Sequence, residues 1–322
     1  MTRIFKSNKF VLSLIIILCV FLIFNPKVCS NSCLNAISVW TFNIFPVMFP
    51  FFVLTRIIVE LSDFKANRLD KFFCKLYNAP SGSLNIFLLS ALSGYPMGAK
   101  LICAQHEQGK LNNNDAKKLM SFCSVSGPMF MVGTVGFAIL KSFKAGIIIL
   151  IANFIAALIN GLIFRGKTNT ITPSTPIKRK KENILTDAVY DSIISILMVG
   201  GFIVLSFVVL DSLQNMHVLS VFSNTISSIT HNKLSVDIVN GFISGFIEMT
   251  RGIINISITS VSIKIKTIIA STMVGFGGIC VMLQSLSFLK KLNMKFSQMF
   301  IQKLCQGLIA CLISIILVFI IF

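Results

Sequence analysis

The chain has 322 residues, of which 55% are hydrophobic and only 12% charged, and its mean hydropathy is +0.85. No water-soluble domain is this apolar, so soluble enzymes, secreted disulfide modules and DNA-binding domains are excluded. The net charge of +18, from 29 Lys and Arg against 11 Asp and Glu, is therefore a topology signal before it is a surface for nucleic acid.

Several apolar runs approach or exceed the roughly 18–20 residues that span a bilayer as helix, which predicts an all-α polytopic membrane protein. The first run, Phe10–Phe24, follows a basic start with Arg3, Lys6 and Lys9. It lacks an Ala-x-Ala cleavage site and reads as an uncleaved first helix. Cys29 and Cys33 fall in the loop expected after it, where a bridge is conceivable. Leu34–Leu61 is next, with Trp40 as an expected interfacial anchor and a Phe-rich stretch kinked by Pro46 and Pro50. Then come Ser83–Cys103, Leu119–Leu140 and Ala145–Phe164. The polar segment Arg165–Asn183, with Pro173, Pro176 and the basic run Lys178–Lys181, is a linker. After it lie Ile184–Leu210, Val236–Ile258, Thr267–Leu289 and Phe296–Phe322.

The two halves resemble each other at a constant offset of 151 residues, which sets Ser93-Gly94 on Ser244-Gly245, Lys100 on Arg251 and Gly127 on Gly278. Glycines and basic residues in register are informative where leucines are not, so the division is an N-terminal helix (1–33), repeat 1 (34–165), a basic linker (166–184) and repeat 2 (185–322). Charge decides how the repeats lie. If every run crossed, the linker basics would land outside, against the positive-inside rule. If Ser83–Cys103 enters and leaves by one face, the linker returns to the cytoplasm together with the basic clusters near residues 65–75, 110–118 and 290–303. Each repeat then has three crossings and one re-entrant hairpin, and the second repeat is inverted. The expectation is seven spanning helices and two hairpins (83–103 and 236–258), N-terminus inside and C-terminus outside.

Backbone that turns within the membrane must aim its freed polar groups at protein or at a wet cavity. Ser93-Gly94-Tyr95-Pro96, Ser126-Gly127-Pro128, Ser244-Gly245 and Gly275-Phe276-Gly277-Gly278 are matched break points. Small residues that only let helices pack closely give the same pattern. Lys100 and Arg251 each follow their Ser by seven residues. Two such cations, with helix N-termini, suit a small anion or dicarboxylate, whereas each taken singly snorkels to the surface. Glu248 is placed to pair with Arg251 or to bind a coupling proton or cation. Thr250, Gln284, Ser121, Ser124 and Ser126 offer neutral hydrogen bonds to a ligand or to a neighbouring helix. With three His, no HExxH and no phosphate-binding loop, no metal, cofactor or enzymatic reaction is expected.

The segments Leu92-Ser-Gly-Tyr-Pro-Met-Gly-Ala-Lys100, Leu119-Met-Ser-Phe-Cys-Ser-Val-Ser-Gly-Pro128, Gly245-Phe-Ile-Glu-Met-Thr250 and Gly275–Gln284 resemble the sporulation integral membrane protein YlbJ family, also called stage V sporulation protein V, whose members carry paired nucleoside recognition (Gate) domains. The resemblance runs from about Trp40 to the last helix. It implies a multi-pass protein of the outer forespore membrane that helps move dipicolinic acid into the forespore, and the inverted-repeat fold of Gate-type transporters. A small anionic substrate and the lipid bilayer are then the partners, nucleic acid is not, and a coupling ion and an oligomeric assembly stay open. A non-transporting scaffold of spore maturation and a nucleoside or neutral-solute carrier are the alternatives.

Overall fold

The computed structural model describes residues 2–61, 68–166, 183–230, 234–289, 292 and 294–322. Among these residues all regular structure is helical, and the chain is an all-helical polytopic membrane protein. The first half comprises α1 (Thr2–Phe24), α2 (Pro26–Val39), a π-helical turn (Trp40–Ile44) leading into α3 (Phe45–Leu61), α4 (Arg68–Tyr77), α5 (Ser83–Ser93), α6 (Met97–Glu107), α7 (Asn113–Cys123), a π-helical stretch (Phe130–Ile139) and α8 (Phe143–Ile163). The second comprises α9 (Ile184–Asn215), α10 (Val218–Ile229), α11 (Val236–Ile247), α12 (Met249–Ser257), α13 (Ile263–Phe276), α14 (Gly278–Phe288) and α15 (Phe296–Ile321).

Moved along the chain by 151 residues, α3 falls within α9, α4 on α10, α5 on α11, α6 on α12, α7 on α13, the second π-helical stretch on α14, and α8 on α15. The caps recur with the elements. Asn112 accepts the N–H of Asp115 at the start of α7, and Ser262 accepts that of Ile265 at the matching start of α13. Short α4 and α10 are amphipathic, exposing Leu69 and Phe72 on one and Val221, Phe222 and Ile229 on the other.

Five helical stretches among the described residues are long and apolar enough to cross a bilayer: 26–58, 143–163, 184–215, 263–288 and 296–321. Of the other two expected crossings, the first has a shorter apolar helix, Leu12–Phe24, and the third is split between α7 and the π-helical stretch. α8, α13 and α15 pack together at the middle, and α9 packs against α2 and α3.

Several sequence expectations change. Cys29 and Cys33 lie within α2, which starts directly at Pro26, and both thiols are free; Pro at the first helical turn costs no hydrogen bond, so no loop forms there. Trp40 is a packing residue, its indole N–H donating to the Ile196 carbonyl at 3.2 Å while Gly200 leaves room for the ring. Lys118 and Lys303, assigned to cytoplasmic loops by charge counting, are buried in helices. Lys118 donates to the Asn78 carbonyl at 2.6 Å and pairs with Asp115 at 3.3 Å. Most of the basic linker, residues 167–182, lies outside the described residues, as do Lys65, Lys233, Lys290 and Lys291.

Gly94 shows why the breaks need glycine. Its φ is +73°, and a Cβ there would meet the Gly127 backbone nitrogen at 2.4 Å. Gly94→Ala is expected to cost about 3 kcal/mol or more, combining backbone strain with a clash against a main chain that cannot yield. Gly109 has φ +71° and nothing within 4 Å of where a Cβ would stand, which isolates the strain, so Gly109→Ala should cost about 1–2 kcal/mol. Thermal unfolding of the two detergent-purified variants compares them; equal shifts would contradict the packing account.

Candidate substrate site

Four helix breaks, two from each half, meet in the interior. The first is Gly94-Tyr95-Pro96 between α5 and α6, with a cis Tyr95–Pro96 bond. The second is Ser124–Gly127, after α7. The third is Glu248, extended at φ −139°, between α11 and α12. The fourth is Gly277, φ +82°, between α13 and α14. Within each half the breaks touch through main chain. Gly94 packs on Gly127, and the equivalent Gly278 faces the Gly245 and Ile247 carbonyls at 3.3 and 3.1 Å from where its Cβ would be.

Between the two pairs lies a cavity of about 40 Å³. Tyr95, Ser126, Gly127, Glu248, Thr250, Cys280 and Gln284 line it, with Ile44, Met48, Val199 and Ile203 as apolar walls. The starts of the second π-helical stretch, of α12 and of α14 all border it, and the first N–H groups of a helix have no partner within it. At α12 those groups are taken by Glu248, whose carboxylate accepts from Thr250 N at 3.0 Å and Arg251 N at 2.7 Å. Glu248 is 2% exposed, while the hydroxyls of Ser93, Ser124 and Ser126 are buried without partners among the described residues.

Two further cavities lie along α9, on either side of the central one. Toward its C-terminal end, Leu210, Asp211 and Gln214 join Ser244, Arg251 and Asn255 around about 320 Å³. Toward its N-terminal end, Asp191, Ser192 and Ser195 join Arg56, Ser93 and Tyr95 around only about 10 Å³. Ser93 and Ser244 are repeat-equivalent, so two matched positions differ in being closed and open. The closed end is crossed by an Arg56–Asp191 ion pair at 2.8 Å.

Lys100 and Arg251 are not brought together. Lys100 Nζ donates to Ser195 Oγ at 2.9 Å and lies over the Phe288 ring; the Arg251 guanidinium donates to Asp211 at 2.9 Å and lies over Phe207. Ser195 and Asp211 are sixteen residues apart on continuous α9, about 24 Å at the helical rise. Each cation ties a hairpin to α9, and Glu248 meets the Arg251 backbone rather than its side chain because it is extended, as the N-cap before α12 begins. Of the other expected residues, Ser126, Gly127, Glu248, Thr250 and Gln284 line the central cavity, Ser93 the closed one and Ser244 the open one. Ser124, Gly277, Gly94 and Gly245 stand behind these walls.

Sequence reasoning missed the group behind Tyr95. Lys303, on α15, is 2% exposed and donates to the Tyr95 hydroxyl, to the Ser124 carbonyl at 2.9 Å and to Gln306 Oε1 at 2.8 Å. The signal was available: it is the lone charged residue of Phe296–Ile321, flanked by Gln302 and Gln306.

Halves whose elements match at a constant offset, broken helices and a small cavity at their meeting point define a polytopic membrane protein with a polar interior. The sporulation integral membrane protein YlbJ of Bacillus subtilis (strain 168) is 29% identical over 321 residues, covering 91% of this chain and 78% of that protein. This likeness over most of the chain supports the resemblance to the YlbJ family that its motifs suggested. No family model matches the chain, and no solved structure does.

Proposed function

We propose that this protein is a membrane carrier for a small organic anion, and that in sporulation the anion is dipicolinate moved into the forespore across its outer membrane. The observation that carries this reading is the buried cavity where four broken helices, two from each half, converge. Broken helices at a repeat interface are how secondary transporters present N–H groups to a charged solute inside the bilayer. The sporulation relative supports the setting.

The halves are taken as oppositely oriented, with the N-terminus and linker cytoplasmic. Support comes from Lys100 and Arg251, equivalent in the repeats yet anchored near opposite ends of α9. A cavity of about 40 Å³ holds a water or two, whereas ligand sites run to several hundred Å³. The conformation is thus closed at the centre and open at one side, and transport consists of closing the 320 Å³ vestibule while the 10 Å³ side opens. Proteoliposomes containing the purified protein should take up dipicolinate saturably, with competition from other dicarboxylates and none from nucleosides. Absence of uptake, or competition by nucleosides alone, would sink the anion-carrier reading.

A further inference from the structure

We propose that Lys303 is the binding residue for a carboxylate of the carried anion, an assignment that rests on the carrier reading. Three other cations of the bundle have carboxylate partners: Arg56 has Asp191 and Glu60, Lys118 has Asp115, and Arg251 has Asp211, while half-buried Lys100 donates to the Ser195 hydroxyl. Lys303 is as buried as any of them, and its acceptors among the described residues are a phenol, a backbone carbonyl and a side-chain amide, all neutral. A buried charge without a countercharge is unfavourable, and a ligand that supplies one is correspondingly favoured.

Geometry ties this ammonium to the cavity. Tyr95, which accepts from Lys303, lines both the central cavity and the closed one. Gly277 keeps this corner open, since its Cβ would stand 3.3 Å from the Tyr95 hydroxyl and 3.4 Å from Lys303 Cε. Ser126, buried and lining the cavity, has a hydroxyl without a partner among the described residues. The three donors of an ammonium are already used, so an incoming carboxylate replaces the Tyr95 oxygen, exchanging a neutral acceptor for a charged one, while Ser126 donates to its second oxygen. Release of Tyr95 frees the wall between the central and closed cavities, which links binding to opening of the second side.

The test uses the full chain in detergent or nanodiscs, with thermal unfolding read against added dipicolinate, other aromatic and aliphatic dicarboxylates, and a nucleoside. Wild type is expected to be stabilised by dicarboxylates. Lys303→Met should still fold, because Tyr95 keeps a donor on the Ser124 carbonyl at 3.1 Å, and should lose affinity for the anion about a hundredfold or more. Lys303→Arg keeps the charge and should retain part of the response, and it gives the measurement if the Met variant does not accumulate. Equal stabilisation of wild type and Lys303→Met by dipicolinate overturns the assignment and leaves the carrier reading standing. A Lys303-dependent response to another dicarboxylate but not to dipicolinate upholds the assignment and removes the named substrate.

Discussion

Asn160→Leu is expected to lower the unfolding free energy by about 2–3 kcal/mol, among the larger losses open to a single side chain that touches no ligand. Asn160 is fully buried on α8, and its amide N–H groups reach the Ser121 carbonyl at 2.7 Å and the Gln302 carbonyl at 3.1 Å. Because α7 stops at Cys123, the carbonyls of its last turn lack helical partners, and Asn160 supplies one from the neighbouring helix. Leu fills a similar volume but leaves Ser121 O buried and unpaired. Asn160→Asp, nearly isosteric, removes the donors and adds charge, so it should cost more than Leu. Unfolding of the purified variants by heat or in mixed micelles checks the order; a Leu variant as stable as wild type would refute the capping role.

Asn153, also on α8, donates to the Ser271 carbonyl at 3.3 Å, but that carbonyl lies within α13, so this bond ties two helices together and caps no break. Breaking a helix inside the membrane frees polar groups, and in the first half they are met by Asn160 of α8 and by Lys303, which takes the Ser124 carbonyl. Three break points were readable in the sequence because Gly and Pro act locally, at residues 94–96, 126–128 and 277–278, whereas the fourth, expected at Ser244-Gly245 inside what proves to be continuous α11, falls at Glu248. The repeat was readable for the same reason, since those residues recur at a constant offset. Which side chains would satisfy the breaks was not, because Asn160 and Lys303 reach across to other helices. Lys303 was lost to a counting rule: it lies close enough to the basic segment 290–295 to be grouped with it, although α15 has already begun at Phe296. Glu248 and Arg251 were set on one helical face by assuming continuous helix at residue 248, which is where α11 ends.

Glu248→Gln is expected to uncouple transport while leaving the protein folded. The amide keeps one oxygen for the N–H groups of Thr250 and Arg251, so the loss of stability should stay within about 1 kcal/mol. The consequence for transport is larger. A carboxylate of the solute about 5 Å from that of Glu248 would be repelled by about 3 kcal/mol at an effective dielectric constant near 20. On the proposed carrier reading, the anion would therefore enter together with a proton on Glu248 or a cation beside it. The other titratable groups bordering the cavity are Tyr95 and Cys280, and the Arg251 guanidinium is engaged by Asp211. Wild-type uptake should rise with an imposed gradient of the coupling cation, tested as protons and as sodium. In Glu248→Gln the gradient dependence should vanish while uptake down the anion's own gradient persists. Unchanged dependence on both gradients in the variant would show that Glu248 serves only as the α12 cap.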